Sequence, residues 1–351
     1  MSEQKPSRTD VNELGEFGLI DHLTKDINLR NASSVRGVGD DAAIIDNRDL
    51  LTVVSTDMLV EGIHFDLMYS PLKHLGYKAV VVNLSDIYAM NASPRQITVS
   101  TAISNRFSVE AMEELYAGIF HACERYGVDL IGGDTTSSNK GLVISVTAIG
   151  QAKKDKVVYR NTAKPGDLLC VTGDLGAAYL GLQILEREKQ LYLDNPDIKP
   201  NLDGQNYLIG RQLKPEARAD MITAFAKKDL VPTAMIDISD GLASEVFHIC
   251  KESGVGAIVE ESGIPMHPDA ESQALKFQLD PTTCALSGGE DYELLFTVAP
   301  EDVDKVRFLP EIYIMGEITE ASEGVMLHTK GGNRHELVAQ GWRHFNPNDS
   351  K

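Results

Sequence analysis

Seven aspartates stand at the edges of apolar or glycine-rich stretches. They are Asp40 and Asp41 in GVGDDAA, Asp57 in VVSTDML, Asp86 in VVNLSDIYAM, Asp134 in LIGGDTT, and Asp237 and Asp240 in MIDISDGL. Taken singly, each reads as a turn or cap residue, because a short carboxylate accepts hydrogen bonds from backbone N–H groups at such places. Asp86 resists that reading. Val80, Val81, Val82, Leu84, Ile87 and Met90 surround it on a helix that is apolar nearly all round, and no Lys or Arg lies within one turn. A carboxylate buried there is costly unless it is paired or coordinated. Asn83 adds an oxygen one turn earlier on the same face. Asp, Ser, Thr and Asn without His or Cys form a hard-oxygen set, suited to Mg²⁺ or Ca²⁺ rather than zinc. Several acids from separate elements point to more than one ion. Mg²⁺ takes few protein ligands and completes its shell with water and phosphate oxygens, so the pattern points to a nucleotide.

Glycines support an anion nearby. LIGGDTT and LSGGEDYEL each set a Gly pair before an acid, and VTGDLGAA puts Gly173 and Gly176 where a strand feeds a helix, a candidate anion site at the helix N-terminus. No GxxxxGK[ST] P-loop, EF-hand spacing, HRD or DFG occurs. Any ATP site here is of another kind.

The elements that must position these residues alternate in type. A buried strand is expected at 49–56, ended by Asp57, followed by the apolar helix at 72–90, a strand at 96–103, a helix at 109–126, and strands at 128–133 and 141–150. A second unit opens at 163–176, with a strand leading into a helix at 175–189. The segment 191–210 reads as loop, followed by a helix at 216–228, a strand at 233–239 and a helix at 240–253. Strands at 257–262, 292–298 and a closing one at 312–319 complete it. The fold class is α/β of the α+β type, with mixed sheets, and the division falls between residues 1–155 and 156–351.

Composition bounds the function. With 351 residues, 42% hydrophobic and 24% charged, the chain has the make-up of a soluble globular protein large enough for two domains. A net charge of −19 argues against nucleic acid, while bound metal ions would still let an acidic enzyme hold phosphates. No apolar run is long enough for a membrane span, and the N-terminus shows no signal-peptide pattern before a helix expected at ELGEFGLIDHL. The four cysteines are scattered, consistent with reduced thiols in a cytoplasmic protein.

Six blocks in order, GVGDDAA, VSTDMLVEGIHF, YKAVVVNLSDIYAMNASP, LIGGDTT, IDISDGL and LSGGEDYEL, resemble the thiamine-monophosphate kinase family, within the superfamily that shares the fold of aminoimidazole ribonucleotide synthetase. The resemblance spans nearly the whole chain. It implies a two-domain chain with helices on one side of each sheet, and an N-terminal domain that pairs across a homodimer near the ATP site. It also implies phosphorylation of thiamine monophosphate to thiamine diphosphate by direct in-line transfer from ATP, assisted by several Mg²⁺ ions. Asp41, Ser55, Thr56, Asp57, Asp86, Asp134, Asp237 and Asp240 match metal positions, with Asp40 shaping the turn beside Asp41. Tyr116, Gly133, Asp134, Arg160 and Ser239 match ATP positions, and His64, Glu290 and Trp342 match positions around thiamine phosphate. No residue is implied as a general acid or base.

Arg160 offers a planar fork suited to phosphate oxygens, and Trp342 a flat ring able to stack on a thiamine ring. The rivals are other ATP-dependent enzymes of the superfamily and a non-catalytic cation-binding protein. Selenophosphate synthetase would need an N-terminal Cys or selenocysteine, and none of the first 122 residues is Cys. The hydrogenase-maturation enzyme would need a C-terminal Cys, where this chain reads RHFNPNDSK. A cation binder has no use for Arg160, His64 or Trp342.

Overall fold

The computed structural model describes residues 33–36 and 39–338. The helix expected at ELGEFGLIDHL and Trp342 lie outside the described residues. Two mixed sheets organise the chain. The first contains β1 (Ser34–Arg36), β2 (Ala43–Asp46), β3 (Leu51–Val60), β4 (Ser93–Ile103), β5 (Asp129–Ser137) and β6 (Val143–Ala152), in the order β1-β2-β3-β6-β4-β5. All its neighbours are antiparallel except β4 and β5. The second contains β7 (Leu168–Thr172), β8 (Ala234–Asp237), β9 (Gly256–Glu260), β10 (Leu294–Val298), β11 (Ile312–Thr319), β12 (Val325–His328) and β13 (Arg334–Glu336), in the order β13-β12-β9-β11-β7-β10-β8. Its one parallel pair is β9 with β12.

Strand β6 alternates between buried and half-buried positions along its length, as a sheet with one covered face requires. The cover is helix α1 (Leu72–Ala89), with helix α2 (Val109–Tyr126) packed against it. Residues Ser55 and Asp57 of β3 face the helices, and Thr56 and Met58 face away. The strand runs on to Val60, so Asp57 sits mid-strand rather than ending it. Pairing with β6 is continuous from Leu51 to Val60, and this ladder outweighs the poor strand propensity of one aspartate.

Helix α1 is buried on almost every side because its two ends meet different partners. Near its start, Gly76 and Gly118 let the backbones of α1 and α2 touch. A Cβ on Gly118 would lie 1.9 Å from the Lys73 carbonyl oxygen, and one on Gly76 would lie 2.0 Å from that of Leu115. Near its end, α1 reaches the second sheet, where the Ser85 hydroxyl donates to Asp237 Oδ2 at 2.6 Å.

In the second half, helix α3 (Ala177–Asp194) outruns the expected helix, so the loop shrinks to 195–205 before α4 (Asn206–Leu213). The Leu-, Tyr- and Lys-rich segment favours helix until Asn195, which must be extended because Pro196 follows. Helices α5 (Ala219–Lys227) and α6 (Leu242–Ser253) lie where expected. Helices α7 (Pro268–Lys276) and α8 (Pro281–Ser287) were not anticipated, although Asp280-Pro281 is an N-cap followed by a proline at the first helical position. Nor does β11 close the fold, because β12 and β13 extend its sheet past β9. The four cysteines are buried and unbridged, and no helix among the described residues is long and apolar enough to cross a membrane.

Since the α1–α2 contact is backbone against backbone, Gly118→Ala is expected to force the helices apart. The loss should be about 1–3 kcal/mol of stability, read as a lower urea midpoint. An unchanged midpoint would show that the helix pair is free to shift.

Candidate active site

Three of the seven aspartates converge. One carboxylate oxygen from each of Asp41, Asp86 and Asp237 lies within 4.8 Å of the other two. They come from the turn before β2, the last turn of α1 and the end of β8, so the group sits where the two sheets meet. Each is held in place by a neighbour. Ser55 on β3 donates its hydroxyl to Asp86 Oδ2, and Ser85 holds Asp237. Arg160 reaches Asp41 Oδ1 with Nη2 at 2.9 Å.

Asp40 turns away from the group. Arg36 Nε lies 2.9 Å from its Oδ2, an approach of charges without hydrogen-bond geometry, and Arg160 Nε lies 3.6 Å from its Oδ1. Of the adjacent pair, Asp41 joins the group and Asp40 pairs with the arginines.

Like charges at this spacing repel strongly. Burial, then the charges of Asp57, Asp237 and Asp41, hold the Asp86 carboxyl well above the usual carboxylate range. Burial and Asp41 push Asp237 up to about 8, although the Ser85 hydroxyl works the other way. Among the described residues Asp86 has no ion pair to Lys or Arg, and Arg160 pairs with Asp41 while its charge only partly offsets the rise at Asp237. A hard divalent cation supplies the missing positive charge, and three carboxylates with two flanking hydroxyls are the donor set it prefers. The residues present fit Mg²⁺.

Other expected ligands fall elsewhere. Asn83 is taken up by the backbone: its Oδ1 accepts from Asp57 N at 2.9 Å, and its Nδ2 donates to the Ala79 carbonyl. The Thr56 hydroxyl points to the opposite face of the sheet from Ser55, donating to the Val146 carbonyl and accepting from Thr147. Strand alternation makes this unavoidable for consecutive residues, so the structure does not bring that hydroxyl to the group.

Asp134 is also apart. Register runs Asp57–Val146–Val99–Gly133 across β3, β6, β4 and β5. At roughly 4.8 Å per strand, β5 is about 14 Å from β3. Gly133, Asp134 and Tyr116 instead line one shallow depression with Val99 and Thr135. Gly133 has a packing reason to be glycine, since a Cβ there would lie 1.8 Å from the Val99 carbonyl oxygen. The expected ATP residues thus divide: Tyr116, Gly133 and Asp134 at the β5 edge, Arg160 at the aspartates.

Beyond Asp237, the DISD and GGEDYE segments are stitched together. Glu290 N donates to the Ser239 carbonyl at 2.7 Å, and Tyr292 N to the Ile238 carbonyl at 2.8 Å. Glu290 and Tyr292 both adopt positive φ (67° and 53°), a strained state held by these bonds. Asp240 N donates to Oε1 of the buried Glu245 in the first turn of α6. His64 accepts from Val60 N through Nδ1, so the neutral ring carries its proton on Nε2, and it lines a cavity with Phe65, Tyr69, Lys78 and Gln212. Glu290 adjoins that cavity through Lys78 and Gln212.

The anion expected at the start of α3 is the protein's own. Asp291 Oδ2 accepts from Gly176 N at 2.8 Å, so its carboxylate fills that helix N-terminus. Glu293 is likewise internal, bound by Arg211, Arg218 and the Thr172 hydroxyl. Sequence reasoning passed over Lys78, Gln212, Glu245, Asp291 and Glu293. Only Lys78 carried a signal, as a charge inside the apolar YKAVVV run.

Comparison with known proteins bears on this arrangement. The family of AIR synthase related proteins matches with its N-terminal domain over residues 39–152 and its C-terminal domain over 164–328. Thiamine-monophosphate kinase of Bacillus subtilis is 33% identical over 341 residues, covering 95% of this chain and all of the relative. That of Aquifex aeolicus is 34% identical, covering 95% and 99%. This chain belongs to the thiamine-monophosphate kinase family. A solved structure of AaThiL complexed with AMPPCP and TMP superposes with a TM-score of 0.82 at 31% identity, covering 96% of this chain and 99% of that one. Hydrogenase maturation protein HypE in complex with ATP, at 19% identity and a TM-score of 0.67 over 93% and 96%, shares the fold. The family's two-domain α/β architecture is the one described above.

The repulsion has a measurable sign. An acid whose pKa is higher folded than unfolded keeps a proton that the unfolded chain has lost, so raising the pH through that window destabilises the fold. With Asp237 near 8 and Asp86 also raised, stability of the metal-free protein should fall between about pH 4 and pH 8. Added Mg²⁺ should flatten the decline. Urea melts at pH 5, 6.5 and 8, with and without Mg²⁺, check this; curves that Mg²⁺ leaves unchanged contradict a cation at the aspartates.

Proposed function

We propose that this site transfers the γ-phosphoryl group of ATP to the phosphate of thiamine monophosphate, giving ADP and thiamine diphosphate. The observation that carries the reading is the convergence of Asp41, Asp86 and Asp237 beside Arg160, at the junction of the two domains. Full-length similarity to thiamine-monophosphate kinases supports it. The residues assigned are Asp41, Ser55, Asp57, Asp86, Asp237 and Asp240 for Mg²⁺, and Arg160 and Ser239 for ATP. Tyr116, Gly133 and Asp134 would meet ATP at the β5 edge, and His64, Glu290 and Trp342 would surround the acceptor.

Both reacting phosphates are anionic, so catalysis here is chiefly positioning and charge neutralisation. Mg²⁺ held by Asp41, Asp86 and Asp237 would supply the positive charge that screens the two phosphates and steadies the leaving oxygen. The protein fixes the carboxylates that hold it: Ser55 and Ser85 set the rotamers of Asp86 and Asp237, and Arg160 orients Asp41. Arg160 also offers its fork to phosphate oxygen, which would exchange part of its pairing with Asp41. The attacking oxygen is already ionised, so no general base is required.

We further place the domain division at residues 155/156, between β6 and β7, and propose a homodimer formed through the first sheet. Its face opposite the helices leaves Thr56, Ser100 and Asp134 exposed around Met58, and among the described residues β5 is an unpaired edge. A second chain there would cover the depression at Gly133 and Asp134.

Formation of thiamine diphosphate and ADP in the presence of Mg²⁺ tests the activity directly; no product from folded, metal-loaded protein would overturn it. Asp86→Asn should fold normally and lose at least about 100-fold in kcat. Retained turnover would make Asp86 structural. Light scattering after gel filtration should give twice the 38.4 kDa chain mass, and a strict monomer would exclude the dimer.

A further inference from the structure

Where the two domains touch, a buried lysine of one reaches an acid of the other. Lys78 lies on α1 and is 4% exposed, between Tyr77 and Ala79, which are buried as well. Its Nζ lies 2.8 Å from Glu290 Oε1 and donates to the main-chain carbonyl of Gln212 at 3.1 Å. Gln212, the second-last residue of α4, donates through Nε2 to Glu290 Oε2 at 2.6 Å. Glu290 therefore has a donor on each carboxylate oxygen. Its backbone is fixed too: φ is 67°, and its N–H donates to the Ser239 carbonyl at 2.7 Å.

Stability alone does not account for the lysine. Taking an ammonium out of water is costly, and apolar side chains can often replace a buried ion pair with no loss of stability. The buried neighbours of Lys78 on α1 would pack as well around a methionine. What the pair secures is geometry. Asp291 and Glu293, next along the chain, have side chains 0% and 1% exposed and are taken up by the protein's own contacts, whereas the Glu290 side chain keeps 27% exposure. A carboxylate has more acceptor sites than the two donors fill, so Glu290 can still accept from a ligand. Lys78 and Asp86 are eight residues apart, so about 12 Å of α1 separates the Glu290 anchor from the aspartates. The helix acts as a ruler between them.

We propose that Lys78 is a positioning residue for the acceptor: with Gln212 it pins the Glu290 carboxylate in one rotamer, at a set distance from the aspartates, so that thiamine monophosphate meets it preorganised. The inference rests on the reading that Glu290 meets the acceptor, and Lys78 itself touches no substrate. A glutamate side chain left free has several rotatable bonds to order when a ligand binds, whereas one held beforehand loses little entropy. The benefit falls on acceptor binding rather than on the transfer step, so it belongs to the acceptor KM and not to kcat.

The test is a double-mutant cycle on the Mg²⁺-loaded enzyme, with Lys78→Met, Glu290→Gln and the two together. It reads kcat and the KM values for thiamine monophosphate and ATP. Lys78→Met is expected to raise the acceptor KM about tenfold, with kcat and the KM for ATP nearly unchanged. Because Lys78 acts through Glu290, adding Lys78→Met to Glu290→Gln should raise the acceptor KM little further, whereas a merely structural lysine would give increases that multiply. Multiplying increases overturn the inference. So does a Lys78→Met enzyme with the wild-type acceptor KM, or one in which both KM values rise together. If Lys78→Met does not fold, Lys78→Gln, which keeps a donor without the charge, takes its place under the same criteria. Glu290→Gln separates the layers: a raised acceptor KM there beside unchanged Lys78→Met kinetics removes the role of Lys78 alone. An unchanged acceptor KM in Glu290→Gln removes the acceptor from Glu290, and this inference with it.

Discussion

Repulsion among Asp41, Asp86 and Asp237 is the constraint around which the molecule is arranged. Three carboxylates within 4.8 Å of one another oppose folding unless they are protonated or share a cation. Among the described residues no lysine or arginine relieves that tension, apart from Arg160 on one flank. The protein holds the group together with hydroxyls and with the packing of α1. The apolar surroundings of that helix fix the Asp86 backbone, and the Ser85–Asp237 bond ties the same helix to the second sheet. The stability of the domain junction would therefore be linked to the binding of any cation the group takes.

Helix α1 carries most of this load. Its first half is locked to α2 by a glycine-to-backbone contact, its last turns hold Ser85 and Asp86, and Lys78 between them reaches across to Glu290 and Gln212. Asp86 and the Lys78–Glu290–Gln212 group are thus placed by a single rigid element. A shift of α1 would move both, which suits a reaction whose barrier depends on the alignment of two anions.

Charge elsewhere in the molecule is settled internally. Asp291 caps α3, and Glu293 is enclosed by two arginines and a threonine hydroxyl. In the sequence these acids look equivalent to Glu290, one and three residues away. Their environments separate them: Asp291 and Glu293 are fully engaged and buried, whereas Glu290 keeps some exposure beside a cavity. The negative net charge therefore says little about function until each acid's partner is known.

Residue types and order alone determined the chemistry of the aspartates, the anomaly of Asp86, the alternation of strands and helices, and the family blocks that imply a phosphotransferase. These are legible because hard-oxygen ligands, apolar periodicity and turn residues are local properties. Only the tertiary structure decided which acids meet. Thr56 and Ser55 are neighbours in the chain and lie on opposite faces of a strand; Asp134 is three strands from Asp57; Asp291 turns inward to a helix that seemed free for a ligand. The Lys78–Glu290–Gln212 arrangement joins residues more than 70 positions apart, and no pattern in the sequence encodes it. Such groupings arise from sheet register and from the docking of two domains, which depend on the whole chain at once.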